Sequence, residues 1–510
     1  MILKDVKVSR GRVESEPAEV LVLTRFEGEP TWKNEAAQVD RALAGALREL
    51  VRGGEFEGKP NQTVLFHTQG KIPAKRVLLV GLGKKSEARL DSLRQAMGSA
   101  SKRVRHAGAG SLHAVLPESS IAGATPEVLA QAMIEGVVLG GYEFTAYRTE
   151  PNANTKKLTR MTIVESGDER LGAIREGVRR GLASAEATWF VRDLCNHPSN
   201  VMTPARLVGE AKGVARERGV TLKVFERRDM ERLGMGALLG VARGSHEPPK
   251  FIILEYQGAR SGKNGRARQP IVLVGKTITF DTGGISIKPS ENMEQMKADM
   301  TGGAEVLATV RAAARLRLPL HVIGILPAAE NMPGGGAIKP GDILTTLSGK
   351  TVEVQNTDAE GRLILADGLA YATRLKPKVI IDIATLTGAC VVALGKFAIG
   401  MFGSHTSLKD RIKQAGEVAG ERVWEMPLWQ EYFEQLKSDV ADMRNIGGRG
   451  GGMITAALFL SKFVGDYPWI HLDIASTDWS DGERAYISKG PTGIGTRLLL
   501  QYLLDEAASS

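Results

Sequence analysis

Short apolar runs alternate along this chain with longer stretches in which apolar residues return every three or four positions, the pattern of strands exchanged with amphipathic helices. Early in the chain, 20–24 (VLVLT), 76–81 (RVLLVG), the region around 113–116 (HAVL) and 160–164 (RMTIV) read as strands, while 86–97 and 126–139 carry helical periodicity. This predicts an α/β domain over residues 1–167, a sheet covered by helices. A polar, proline-bearing break at 150–155 follows, and 168–195 reads as one long amphipathic connecting helix. From 196 to 510 the runs at 222–225, 251–256, 271–274, 321–326, 352–355, 379–383 and 469–474 alternate with helices such as 302–316 and 363–374. The expectation is a larger catalytic domain built on a mainly parallel, doubly wound sheet, with its ligand site beyond the carboxyl ends of the strands.

Two acidic segments fall at such ends. NTDAEGRL at 356–363 follows the strand-forming TVEVQ, so that Asp358 and Glu360, two apart, leave a strand end on the same side. VGKTITFDTGG at 274–284 follows the apolar PIVLV and delivers Lys276 and then Asp281 into a Gly-Gly turn, with Asp299 further on. Any one of these carboxylates alone reads equally as a turn or cap residue. Four of them converging with a lysine carry more anionic charge than a protein buries without cations, and two divalent ions would neutralise it. No histidine belongs to an HExxH, and no GxSxG serine or plausible cysteine nucleophile is present, so zincin and triad mechanisms lack parts. What remains is a carboxylate-bridged metal pair, which serves amide and phosphoester hydrolysis alike.

Composition changes this picture little. At 510 residues the chain exceeds a single ordinary core, and 43% hydrophobic with 25% charged residues is ordinary for a soluble enzyme. The opening MILKDVKVSR carries charge where a signal peptide needs an apolar core, and the run 379–394 is broken by Asp382 and TLTG, so neither export nor a membrane span is expected. Cys195 and Cys390 form no ligand or disulfide spacing, which fits a reducing cytoplasm. The net charge is +9, of which the first 167 residues hold +5, and Lys102-Arg-Val-Arg105 would be the contact candidates for weak nucleic-acid affinity. GLGKKS at 81–86 lacks the GxxxxGK[ST] frame and reads as a plain turn. The glycine-dense 447–452 lacks GxGxxG and reads as a flexible active-site loop.

NTDAEGRL at 356–363 resembles the signature of the leucine aminopeptidases, also called cytosol aminopeptidases, a family of two-metal exopeptidases. GKTITFDTGGISIKP (275–289), MKADMTGGA (296–304), NHPSNVMTP (196–204), DIATLTGA (382–389) and HLDIASTDW (471–479) are similar to further segments of that family, in order through the whole second domain. The resemblance implies that Lys276, Asp281, Asp299 and Glu360 bind one metal and Asp281, Asp358 and Glu360 the other, as Mn²⁺ or Zn²⁺, with Mg²⁺ also suited to such ligands. It implies catalytic roles for Lys288, polarising the scissile carbonyl, and for Arg362, which with amides near Ala359, Gly361 and Leu386 would hold a bicarbonate as general base. Met296 would line the pocket for the first side chain, and Thr385, Leu386 and Gly388 would contact substrate or anion. Peptides with a free N-terminus, a homohexamer with its sites facing an interior cavity and, for some bacterial members, DNA are the implied partners. Thr277, where the family has glycine, and Thr301-Gly-Gly-Ala304 are departures from its pattern. A DNA-binding regulator and a two-metal phosphoesterase are the competing readings.

Overall fold

In a computed structural model of the chain, residues 3–117, 121, 123–150, 157–258 and 268–509 are described, so the polar break at 150–155 lies almost wholly outside the described residues. They form two compact units: Met1–Trp189 with Val418–Gly420 and Gly482–Lys489, and Phe190–Glu417 with Glu421–Asp481 and Gly490–Ser510. The helix Leu171–Asn196 carries the chain from one to the other.

The first unit holds, among the described residues, a six-stranded sheet of β1 (Asp5–Arg10), β2 (Leu21–Glu27), β3 (Thr63–His67), β4 (Arg76–Lys84), β5 (Ser111–Val115) and β6 (Arg160–Glu165), in the order β1-β6-β5-β2-β4-β3. Neighbours run parallel except β3 against β4. Alternation along β2 sends Leu21 and Leu23 to one face, where they pack with Val39 and Leu47 of the helices Asn34–Ala42 and Ala46–Arg52 and with Leu43 between them. Val22 and Phe26 turn to the other, against Leu93, Met97 and Met133 of the helices Leu90–His106 and Pro126–Gly140. Each such side chain, fully buried, contributes about 1.5–3 kcal/mol. The sheet is therefore covered on both faces. The cluster at 102–105 is largely spent inside the unit: Lys102 pairs with Glu483 at 2.6 Å, Val104 is buried, and Arg105 is buried beside Glu143.

The second unit carries the larger sheet. Its strands are β7 (Val220–Phe225), β8 (Lys250–Gln257), β9 (Ile271–Gly275), β10 (Thr277–Asp281), β11 (His321–Asn331), β14 (Val379–Ala384), β15 (Ile399–Gly403), β16 (Val423–Glu425) and β18 (Trp469–Asp473), while the short β12 (Ile343–Thr345), β13 (Thr351–Glu353) and β17 (Met443–Arg444) lie outside it. The order is β16-β15-β18-β14-β9-β11-β8-β7, with β10 beside β11. The centre, β18-β14-β9-β11, is parallel, and β7, β8 and the β15–β18 pairing are antiparallel. Parallel strands covered on both faces read as continuous apolar runs, and the fully buried IVLVG of β9 is one. The structure corrects one strand assignment. The run expected at 352–355 is β13, which pairs with β12 and β17 in a separate three-stranded sheet. Its residues alternate between half-buried and buried, the mark of a covering ribbon and not of a central strand.

Candidate active site

Lys276 follows β9 directly, and Asp281 closes β10, whose register against β11 shifts between Ile278 and Asp281. Asp299 caps the C-terminal end of the 3-10 helix Met293–Ala298. Asp358 lies in a turn beyond β13, and Glu360 opens the helix Glu360–Thr373. The two carboxylates thus stand at a turn and a helix start, and not at a strand end as their spacing suggested.

These side chains converge. Oxygens of Asp281, Asp358 and Glu360 come within 4.8 Å of one another. Lys276 Nζ lies 2.8 Å from both Asp299 Oδ1 and Glu360 Oε1 and donates to the Thr385 carbonyl at 2.9 Å. Lys288 Nζ lies 2.8 Å from Asp281 Oδ2 and also touches Asp358 Oδ1. Thr385 Oγ1 donates to Asp299 Oδ1 at 2.7 Å, whereas Asp299 Oδ2 and Glu360 Oε2 are buried without a hydrogen-bond partner among the described residues. Burial, with Asp281 and Glu360 adding repulsion, raises Asp299 well above the usual carboxylate range; Glu360 and Asp358 are raised for the same two reasons, burial and then Asp281. Burial disfavours charge on Lys276 and Lys288, but the surrounding carboxylates outweigh it and hold both ammonium groups above the ordinary lysine value. A buried set of acceptor oxygens, two of them orphaned, is a donor set that fits divalent cations.

Arg362, 5% exposed, donates from Nη1 to the Asn445 carbonyl at 2.8 Å, and its Nε has no partner among the described residues. Burial lowers it to about 10, Glu360 and Asp473 opposing. Ala359 supplies no side-chain cap to the helix that Glu360, Gly361 and Arg362 begin, so that first turn offers amide donors to an anion. Of the expected amide cradle, the Ala359 N–H donates to the Asn356 carbonyl at 3.3 Å and the Leu386 N–H to Asp473 Oδ1 at 3.2 Å. Met296 is half-buried on the segment leading to Asp299, and Gly388 is exposed at the start of the helix Gly388–Leu394, which Thr387 caps.

Sequence reasoning passed over the residues that hold this arrangement. Asn331, at the end of β11, donates to Asp281 Oδ1 (2.8 Å) and to the Thr357 carbonyl (3.0 Å), tying the two acidic segments together. Asn445 accepts from the Gln355 and Asn356 amides and donates to the Asn356 carbonyl at 2.7 Å, pinning the start of NTDAEGRL. Asp473, at the end of β18, takes Thr387 Oγ1 at 2.7 Å as well as the Leu386 amide. Asp473 could have been found, since it ends an apolar run exactly where β14 ends in the register. The two asparagines carried no signal beyond their composition.

Fold and site together define a two-unit α/β enzyme, a hydrolase with an acidic centre at the strand ends of its larger unit. The chain belongs to the cytosol aminopeptidase family: residues 189–500 match the family's catalytic domain and 21–151 its N-terminal domain. A probable cytosol aminopeptidase of Geotalea uraniireducens is 49% identical over 91% of this chain and 92% of its own, and one of Geobacter sulfurreducens 47% identical over 96% of each. Among solved structures, a mutant of tomato leucine aminopeptidase superposes with a TM-score of 0.86 at 33% identity, covering 98% of this chain and 96% of its own. The bottromycin maturation enzyme BotP in complex with Mn gives 0.83 at 36%, covering 96% and 100%. The chain is an aminopeptidase. Among the described residues no helix is long and apolar enough to cross a membrane.

Proposed function

We propose that this aminopeptidase releases unhindered apolar residues, leucine among them, from peptides with a free N-terminus, and that Lys276, Asp281, Asp299 and Glu360 hold one divalent cation and Asp281, Asp358 and Glu360 a second. The observation that carries the reading is the pair of orphaned oxygens, on Asp299 and Glu360, inside a buried carboxylate cluster. Such a pair of ions supplies Lewis acidity at the scissile carbonyl and lowers the pKa of water. Mn²⁺ suits the oxygen-rich donor set, and the BotP complex with Mn supports it; Zn²⁺ and Mg²⁺ are accepted by the same ligands.

The chain's own residues do the rest. Lys276 can ligate only after losing its proton, through the amine lone pair. Lys288 is half-buried and stays charged, so its ammonium stabilises the oxyanion that develops on the scissile carbonyl. Asp299, together with the cation it would hold, contacts the substrate's free α-amine, which makes the reaction an exopeptidase one. Arg362 directs its unpartnered Nε, with the uncapped helix turn at Gly361, to a bicarbonate that provides the general base. Met296, Thr385 and Gly388 border the place of the first side chain. Exposed Val392, Phe397, Trp424 and Trp429 offer apolar surface that assembly into a hexamer would cover, and the family's cytosolic name supports the cytoplasm as its place.

With added Mn²⁺ the chain should hydrolyse Leu-p-nitroanilide and leave acetyl-Leu-p-nitroanilide and p-nitrophenyl phosphate intact. Comparable turnover of the acetylated substrate would sink the exopeptidase reading, and turnover of the phosphate ester would favour the phosphoesterase.

A further inference from the structure

In the first unit the chain leaves β2 over the helices Asn34–Ala42 and Ala46–Arg52 on one face and moves toward β4, whereas from β5 it leaves over Pro126–Gly140 on the other face and moves toward β6. Between the carboxyl ends of β5 and β2 the winding reverses, and in open parallel sheets such a reversal opens a crevice in which ligands bind. A cavity of about 80 Å³ lies there, lined by the end of β2 and the chain after it to Ala36, by Leu82 of β4 with Lys85, and by the end of β5.

Its lining is unusual in one respect. Arg25, near the end of β2, is 3% exposed, yet its Nη1 has no hydrogen-bond partner among the described residues. Nη2 is engaged by the Glu29 backbone carbonyl, and the guanidinium lies over the Trp32 ring, 4.4 Å from its centroid, so its orientation is set on two sides. Trp32 Nε1 is a second buried donor without a partner among the described residues. Lys33, which caps the helix Asn34–Ala42 only through its backbone, and Lys85 complete the cations of the lining, against Glu29 and Glu35. Glu35 already accepts from Ser166 Oγ at 3.0 Å. A buried cationic donor with an open valence is costly, and two unpartnered donors beside one cavity call for an acceptor that is rich in lone pairs. A helix N-terminus of uncapped amides favours negative charge at the same place.

We propose that this cavity, at the winding reversal of the first unit, is a binding site for a small oxyanion, the phosphate or carboxylate group of a small molecule, with Arg25 Nη1 and Trp32 Nε1 as its donors. Nothing in the peptidase chemistry of the second unit uses these residues.

The test is isothermal titration of the full chain with sodium phosphate and, separately, sodium acetate at matched ionic strength, for the wild type, Arg25→Gln and Trp32→Phe. The wild type should bind at least one anion saturably. Arg25→Gln should weaken that binding about tenfold or more, the loss of a charge-assisted hydrogen bond, and Trp32→Phe should weaken it by a smaller factor. Hydrolysis of Leu-p-nitroanilide should be unchanged in both, which also reports that the variants are folded. Should Arg25→Gln fail to fold, Trp32→Phe, which keeps the aromatic ring, carries the test. Binding of phosphate without acetate assigns the site to phosphate, and binding of acetate extends it to carboxylates. Absence of saturable binding of either anion to the wild type, or wild-type affinity in a folded variant, overturns the proposal.

Discussion

Thr277 lies in one of the two segments where the resemblance implies a departure from the family's pattern, and the structure shows what surrounds it. Thr277 is fully buried, its Oγ1 donating to the Gly275 carbonyl at 2.8 Å, and a Cβ built on Gly303 would lie 2.1 Å from that oxygen. Thr277 and Gly303, which belongs to the segment Thr301–Ala304, therefore form one steric arrangement. Gly303→Ala should destabilise the chain by about 1–3 kcal/mol through overpacking, and Thr277→Gly in the same chain should restore part of the loss; a double-mutant cycle on urea midpoints reads the coupling. Gly361 is held to glycine in the same way, because a Cβ there would meet Lys276 Cε at 2.5 Å. The chemistry has its own residue-scale tests. Asp358→Asn should lower metal content and abolish peptidase activity with the fold intact, so two full-occupancy metals in an active variant would remove the mechanism. Arg362→Ala should keep its metals and lose about 10²–10⁴ in rate, the worth of general base catalysis. It should also lose any stimulation by bicarbonate, and a variant with wild-type kcat and bicarbonate response would exclude the anion-holding role.

Between elements, the parallel pair β14 and β18 carries a buried polar row. Asp382 and His471 are register partners, joined by Oδ1 and Nδ1 at 2.6 Å, and Trp469 Nε1 donates to the other Asp382 oxygen at 2.7 Å. Burial opposes charge on His471, but Asp382 outweighs it and Asp473 adds to it against Arg362, so the imidazole is held above its ordinary 6.5. Protonation then favours the folded state. The stabilisation is complete below about 6.5 and is lost as pH rises through the raised folded value. Thermal melts should show stability declining in that direction, and His471→Gln should flatten the decline while lowering Tm at pH 6. An unchanged slope in His471→Gln would assign the pH dependence elsewhere. The helix Glu360–Thr373 has its own anchor in Asp367, whose two oxygens accept the Leu238 and Leu347 amides at 2.8 and 2.7 Å.

Over the whole chain, distant segments complete the first unit. Tyr486, 4% exposed, packs in the core of that unit and donates to Asp91 Oδ1 at 2.7 Å, and Arg94, paired with Glu135 at 2.8 Å, donates to the Val418 carbonyl at 3.0 Å. A fragment of residues 1–189 lacks both segments, so it should bind a hydrophobic dye and unfold at lower urea than the same unit in the full chain. Equal midpoints would show that Gly482–Lys489 is dispensable. This division also marks how far reading the chain could go. Apolar runs and helical periods are local, and from them the two α/β layers, the strands β2, β4, β9 and β14 and the segments bearing Lys276, Asp281, Asp299, Asp358 and Glu360 were legible. The run at 352–355 was equally apolar, but a short strand's place in one sheet or another depends on partners far along the chain. Asn331, Asn445 and Asp473 act through hydrogen bonds to segments 26 to 90 residues away. Only the tertiary structure decides such contacts, because a hydrogen bond needs its partner within about 3 Å and no local pattern encodes that distance.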